Sequence, residues 1–391
     1  MPASPLATTK RVFLLGAGAS AEAGVPTTFE ATKHLVEAIN TAQGPWRKTA
    51  QALNFVCGAL VAYDSAAGGS PYAGLDVERV MSAIELLAER ETLEVTPFIG
   101  AWHPAVDEWD RPNPPPFFDN DFSRAVLGEG IHKPGRLISD LVASVTGRGS
   151  GRVYRRLASE MVQALRSLLV VKNGDEHYLA PLLDAAAEPG GITIATLNYD
   201  LAIEQLASSR AVDVQTGIER WVHNRTWGWK DDGLRLLKLH GSIDWCWDAA
   251  GKKNGEMPRK TIEISEKPHD DHRQPAVLFG QRGKLRAEGP FLSLLAEFER
   301  FLADAAELIV VGYSFRDEHI NETIRHWTAE DSGRTITIVD PSFPESVGYY
   351  QEGFGPSLVT YLNPGKYERE PWQPRVTVLR EVASKTLPTL V

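Results

Sequence analysis

Cysteine is nearly absent: Cys57 and Cys246 are the only two in 391 residues. Two thiols so far apart in sequence exclude a disulfide framework and a four-cysteine zinc site, so no metal centre is expected. A reducing cytoplasm is the expected setting. No apolar run approaches the ~18–20 residues of a membrane span, so no membrane association is expected. The opening "MPASPLATTK" lacks the apolar segment of a secretory leader. Positive charge is in deficit, with 41 Lys and Arg against 51 Asp and Glu, a net charge of −10. That balance argues against bulk attraction to nucleic acid or anionic lipid, and no direct sequence-specific nucleic-acid contact is expected. The chain also has no Walker A lysine, no H-E-x-x-H and no G-x-S-x-G, which sets aside P-loop, zinc-peptidase and nucleophile-elbow chemistry.

What is present is a series of short apolar runs. Residues 12–15, 192–197, 234–239, 308–311 and 336–339 read as buried strands, with helical patterns such as "PFLSLLAEFERFLADAA" between several of them. Strands of this kind alternating with helices predict an α/β fold, a Rossmann-like parallel sheet with helices on both faces. Residues 19–40 read as one helix. Residues from about 45 to 185 differ in pattern, with apolar positions at helical spacing in "LDVERVMSAIELLAERETL" and "VYRRLASEMVQALRSLLVV". We expect one domain over 10–391 with a large helical insertion at about 45–185. In that insertion the stripe Val153, Leu157 and Met161, flanked by arginines, is the expected contact of a homo-oligomer. The proline run in "DRPNPPPFFDNDF" predicts an extended loop.

Glycine or polar residues follow almost every predicted strand: Gly16, Ala17, Gly18, Ala19 and Ser20; Asn198, Tyr199 and Asp200; His240, Gly241 and Ser242; Gly312, Tyr313 and Ser314; and Asp340. In an open parallel sheet the carboxyl ends of the strands line one crevice, where ligands bind. Gly16 and Gly18 allow a tight turn with close backbone approach, and the helix expected after them would offer free N–H groups to a pyrophosphate. "GAGASA" fits the dinucleotide template G-x-G-x-x-[GA], but the acid usually found about 20 residues on is missing. Glu37 has nearly that spacing but lies within the expected helix.

The motifs "GAGASAEAGVPT", "TLNYD", "LHGS" and "VVGYSFRDEHIN", in that order, resemble the sirtuin family over roughly residues 10–40 and 190–345. In its well-known members the first reads GAG-x-S-x-x-(S/A)-G-I-P, the second T-Q-N-I-D, the third carries the catalytic histidine before Gly, and the fourth corresponds to a G-T-S turn. The form here is most similar to bacterial sirtuin-like proteins of anti-phage defence, which hydrolyse NAD. The resemblance implies NAD as substrate. It implies a phosphate loop of Gly16, Ala17, Gly18, Ser20 and Glu22, with Thr27 nearby. It implies Asn198 and Asp200 facing the nicotinamide ribose and His240 as the catalytic histidine. It implies Gly312 and Ser314 at the phosphates or the adenine-side ribose. Asp340, at the end of a late strand, could accept bonds from ribose hydroxyls in place of the missing early acid. The resemblance also implies a partner, a HerA-type hexameric ATPase.

Two departures bear on activity. Two cysteines cannot form the zinc ribbon of the deacylating sirtuins, and their G-I-P-D-F-R string reads here Gly24-Val25-Pro26-Thr27-Thr28-Phe29. Both count against peptide deacylation. Cleaving the nicotinamide–ribose bond develops oxocarbenium character on the sugar. Asn198 can hold a water or a hydroxyl, and neutral His240 can take a proton. Three functions stay open: a gated NAD hydrolase, a sirtuin-type deacylase or ADP-ribosyltransferase, and a non-catalytic NAD or ADP-ribose sensor. Each residue also has a plainer use. Asp200 and Asn198 could cap a helix, Asp340 before Pro341 makes a common turn pair, and His240, at a loop, should be removable without loss of the fold. Trp221, Trp227, Trp229, Trp245 and Trp247 are expected to pack a β-rich flap or an interface, and one of them could wall the nicotinamide pocket.

Overall fold

The computed structural model describes residues 10–43, 47–68, 75–99, 102–109, 151–172, 174–248, 261–269, 272–279, 289–331, 333–344, 354–361 and 375–391. The proline-rich loop at 110–122 lies outside them. Contacts within the chain define two units, residues 1–27 with 166–391, and residues 28–165.

The first unit carries a seven-stranded, wholly parallel sheet. Its strands are β1 (Arg11–Leu15), β2 (Ile192–Thr196), β3 (Val214–Gln215), β4 (Leu234–Lys238), β8 (Glu307–Val311), β9 (Thr335–Val339) and β10 (Arg375–Leu379). They run in the order β10-β9-β8-β1-β2-β4-β3. Helices cover both faces, so the central strands show no alternation. All five residues of β2 and all five of β4 are buried, as expected of a parallel sheet enclosed on two sides. Leu15 pairs with Thr196 and with Val311, and Thr196 pairs with Lys238. The central strands therefore end at one level, and the residues that follow them share one edge. A second, antiparallel sheet of β5 (Gly241–Asp248), β6 (Thr261–Ile264) and β7 (Pro275–Val277) follows directly from β4.

The second unit is helical in its described residues, with helices Thr28–Gln43, Lys48–Ala66, Val77–Glu89 and Pro104–Glu108 and most of Arg152–Leu168. Asp76 accepts from the Glu78 N–H at 2.8 Å and starts its helix. Arg79 makes a two-pronged contact to Asp64 at 2.6 and 2.8 Å. Arg90 is fully buried, donating to Asp107 at 2.9 Å and to the Leu87 carbonyl at 2.7 Å. Two expectations fail here. Leu157 and Met161 are buried, at 0% and 1% exposure. These two residues are core and are not a surface for a second copy, whereas Val153 is half-buried and Arg152, Arg155 and Arg156 are exposed. The helix expected over 19–40 is broken into a 3₁₀ segment, Ala17–Ala23, and the helix Thr28–Gln43. Gly24, at φ 77°, ends the first segment, and Pro26 follows in a position that cannot continue it.

Candidate active site

Three glycines build the floor. Gly16 donates its N–H to the Val311 carbonyl and Gly18 to the Gly312 carbonyl, both at 2.9 Å. A Cβ on Gly16 would sit 2.6 Å from the Gly312 oxygen, and one on Gly18 would sit 2.8 Å from the Gly312 Cα. A Cβ on Gly312 would sit 2.4 Å from the Ala19 nitrogen, and Gly312 has φ 61°. The glycines are thus needed where the turn after β1 lies on the turn after β8, backbone against backbone. Ala19 N–H is also engaged, with the Gly16 carbonyl at 2.9 Å. The free N–H groups expected of this turn are therefore spent at Gly16, Gly18 and Ala19. Ala17 is half-buried and Ser20 is buried.

Asn198 is fastened to this floor. Its Nδ2 donates to the Gly16 carbonyl and to the Ser20 hydroxyl, both at 2.9 Å. The Gly16 carbonyl can only accept, so this contact fixes the amide orientation and leaves Oδ1 as the acceptor. Asp200 is buried. Its Oδ1 accepts from Ala202 N–H at 3.0 Å, at the start of the helix Ala202–Ser209. Its Oδ2 is buried without a partner among the described residues. Asp200 thus holds the first N–H of that helix from the residue before its N-cap, Leu201. The same side chain lines a cavity of about 10 Å³ with Ser20, Thr196, Asn198, Glu204 and Lys238, close to the room one water needs. Lys238, 1% exposed, donates to the Asp200 carbonyl and lies 2.7 Å from Glu204. Burial pushes the Glu204 carboxyl up, against the pull of Lys238, and Asp244 adds to the push.

His240 follows the end of β4 and is buried. Gly241 turns the chain at φ 87°, where a Cβ would meet the Ala276 oxygen at 2.1 Å. His240 Nε2 lies 2.7 Å from Asp317 Oδ2, with side-chain exposures of 6% and 3%. The histidine is therefore not a free loop residue, and removing it would leave a buried carboxylate without this partner. In the sheet order β8-β1-β2-β4, two strands separate the elements that carry the pair. At a strand spacing of about 4.8 Å, that is roughly 14 Å spanned over the ends of β1 and β2. Asp317 was not among the sequence candidates. Its signal was an acid just past the turn in "VVGYSFRDEHIN".

The aromatic ring seen against His240 among the described residues is a tyrosine. Tyr199 lies 6.3 Å from the imidazole, ring to ring, and Phe279 stands edge-on to Tyr199 at 6.2 Å. Trp221, Trp227 and Trp229 stack in a row that ends on Phe301. Trp245 is in the core and Trp247 packs on Phe291.

The remaining candidates stand apart. Glu22 is exposed, and its carboxylate accepts from Ser384 N–H at 2.9 Å, at the start of the C-terminal helix Ala383–Leu390. Thr27 lies past the Gly24 break. Ser314 is exposed. Asp340 is half-buried one strand over from Gly312, and its Oδ1 accepts from Ser342 N–H at 2.7 Å in the expected turn. Burial raises its carboxyl. Among the described residues, no group of three or more His, Cys, Asp or Glu is placed to hold a metal ion. No described helix is long and apolar enough to cross a membrane.

Residues 192–354 match a family described as SIR2-like domain, a stretch that holds Asn198, His240, Gly312 and Asp317. A comparison with curated proteins finds no match. Among solved structures, a Sir2 homologue in complex with NAD aligns at 14% identity over 97% of this chain and 87% of that one, with a TM-score of 0.36. A structure described for the mechanism and regulation of Sir2 enzymes aligns at 14% identity over 97% and 89%, with a TM-score of 0.35. A Sir2 protein bound to a propionylated peptide aligns at 12% over 97% and 90%, with a TM-score of 0.34. TM-scores of this size carry no statement about activity.

Proposed function

We propose that this chain hydrolyses NAD to ADP-ribose and nicotinamide. The observation that carries the reading is the orientation of Asn198. Its amide hydrogens are tied to the Gly16 carbonyl and Ser20, so Oδ1 is left to accept at the strand-end edge that also holds His240. The SIR2-like match over 192–354 supports the same reading.

Each side chain then has a task. Asn198 Oδ1 accepts a hydrogen from the attacking water or from a ribose hydroxyl and holds it near C1′. The water oxygen bonds to C1′ as nicotinamide departs with the electrons of the C–N bond. His240 takes the proton released from the water. Asp200, which lines the small cavity together with Asn198, orients a ribose hydroxyl or the nicotinamide amide. The turns at Gly16–Gly18 and Gly312 face the pyrophosphate. A pyrophosphate that uses the Gly18 N–H must first displace the Gly312 carbonyl, so entry requires the two turns to part. Ser314 and Asp340 serve the adenine-side ribose. No step needs a metal.

A deacylase would use the same edge with an acyl-lysine in place of water. A sensor would bind NAD and leave it intact. The setting of anti-phage defence, control by assembly and the HerA-type ATPase rest on the resemblance of the motifs alone. If control is by assembly, its contacts lie elsewhere than the buried stripe of Leu157 and Met161.

The test is to incubate pure protein with NAD, with and without an acetylated peptide, and to separate the products. Free ADP-ribose and nicotinamide without peptide are expected, and Asn198→Ala should lose them. Acyl-ADP-ribose formed only with peptide would replace the reading with deacylation. Intact NAD that nonetheless raises the melting temperature would replace it with sensing.

A further inference from the structure

We infer that Asp317 is the positioning residue for His240, fixing which ring nitrogen is free to take the proton. The inference rests on the catalytic reading of His240, but its geometry is independent of that reading. Asp317 is the residue preceding the helix Glu318–Glu330, the place where an aspartate ordinarily accepts from the first helical N–H groups. Here its side chain makes no such bond. Oδ2 lies instead 2.7 Å from His240 Nε2, in surroundings that cover both groups.

The approach to that position is built as well. Phe315, with φ 55°, takes a left-handed conformation that side chains seldom adopt. Its carbonyl accepts from Asn321 Nδ2 at 2.9 Å. Tyr313 reaches back, and its hydroxyl accepts from Asp317 N–H at 3.0 Å. A non-glycine residue held in this conformation is strained. The sequence thus forgoes a helix cap and bears a strained turn, and both deliver one carboxylate to one imidazole.

The chemical consequence is specific. An ionised carboxylate can only accept, so the imidazole presents Nε2–H to it. The lone pair then sits on Nδ1, which becomes the atom that takes the proton from water. Without Asp317 the ring could hold either tautomer and could turn. A carboxylate behind the ring also stabilises the imidazolium formed during the step.

The experiment uses protein labelled with ¹⁵N-histidine, with the His240 signals identified by their loss in His240→Gln. Wild type should show the Nε2–H tautomer. In Asp317→Asn, the carboxamide donates to Nε2 and the hydrogen should move to Nδ1. The kcat for NAD cleavage should fall by about 10²–10⁴ while KM changes less than about threefold. Asp317→Glu should keep the tautomer and recover most of kcat. Asp317→Ser, which supplies an ordinary helix cap, removes the carboxylate with the best prospect of folding and should lose kcat equally. An unchanged tautomer, or unchanged kcat, in folded Asp317→Asn or Asp317→Ser would overturn the inference. If wild type cleaves no NAD but the tautomer switches as described, the function reading fails and the positioning stands.

Discussion

The two sides of the strand-end crevice are held by different physics. On the β1 and β8 side the ties are neutral and short-range: Asn198 to Gly16 and Ser20, and Gly18 to Gly312. On the β4 side the ties involve charged groups, the Asp317 carboxylate on the His240 imidazole and Lys238 on Glu204. The neutral side tolerates almost no added volume, because its contacts are backbone on backbone. The β4 side cannot lose one partner of a pair, because Asp317 or Lys238 then stays buried without it. A site assembled from both halves fails in two separable ways, by shape and by charge.

The largest effect should come from shape. Gly312→Ala puts a Cβ 2.4 Å from the Ala19 nitrogen at a residue with φ 61°. We expect a loss of about 5 kcal/mol, near the whole stability of a marginal protein. Soluble yield and thermal melting measure it, and a normal melt would break the comparison on its neutral side. Next comes charge. Lys238→Met removes the cation 2.7 Å from Glu204 and should cost about 3 kcal/mol. Lys238→Met combined with Glu204→Gln should recover part of that, and chemical denaturation of the single and double variants decides it. Equal losses in both would show that the pair is not coupled.

Asn198→Ala should be milder for the fold. Two hydrogen bonds go, worth about 1–2 kcal/mol in all, while NAD turnover falls by about 10²–10⁴. A variant that melts early and still turns over would make Asn198 a structural tie only. The smallest effect concerns Asp340, whose carboxyl is raised by burial. Its folded value lies above its unfolded one, so its contribution is fully present below the ordinary carboxylate range and is lost as pH rises through the folded value. Asp340→Asn, which keeps an acceptor for Ser342, should therefore gain stability relative to wild type at pH 7 but not at pH 3. Denaturation at the two pH values reads the difference, and a gain that is equal at both would remove burial as the cause. Asp340→Ala should raise KM for NAD more than it lowers kcat, and an unchanged KM would leave it a turn residue.

Much of the sheet was legible because a strand covered on both faces must be apolar throughout, as in "ITIAT" and "LIVV". The edge strands β3 and β10 were not legible. One has two residues, and the other is only half-buried, so neither leaves a continuous apolar run. Gly16, Gly18, Asn198, Asp200 and His240 were legible as residues at strand ends. What each one touches was not. The glycines serve one another across 294 residues of chain, a partner no local pattern reveals. Asp317 went unread for the same reason, since an aspartate before a helix looks like a cap until topology brings His240 to it. The stripe through Leu157 failed differently. Periodicity finds an apolar face but does not say whether the chain itself covers it.

The central place of β1 has a consequence in time. Both of its neighbours come from far downstream, β2 from residue 192 and β8 from residue 307. On a ribosome adding about 5–20 residues per second, the first partner emerges about 180 residues after β1, roughly ten to thirty-five seconds later. Through that interval "VFLL" has no strand to lie against. The nascent protein therefore carries an exposed apolar segment that must be shielded by a chaperone or by passing contacts. Slowing translation after residue 27 should lower soluble yield more than the same delay placed after residue 312.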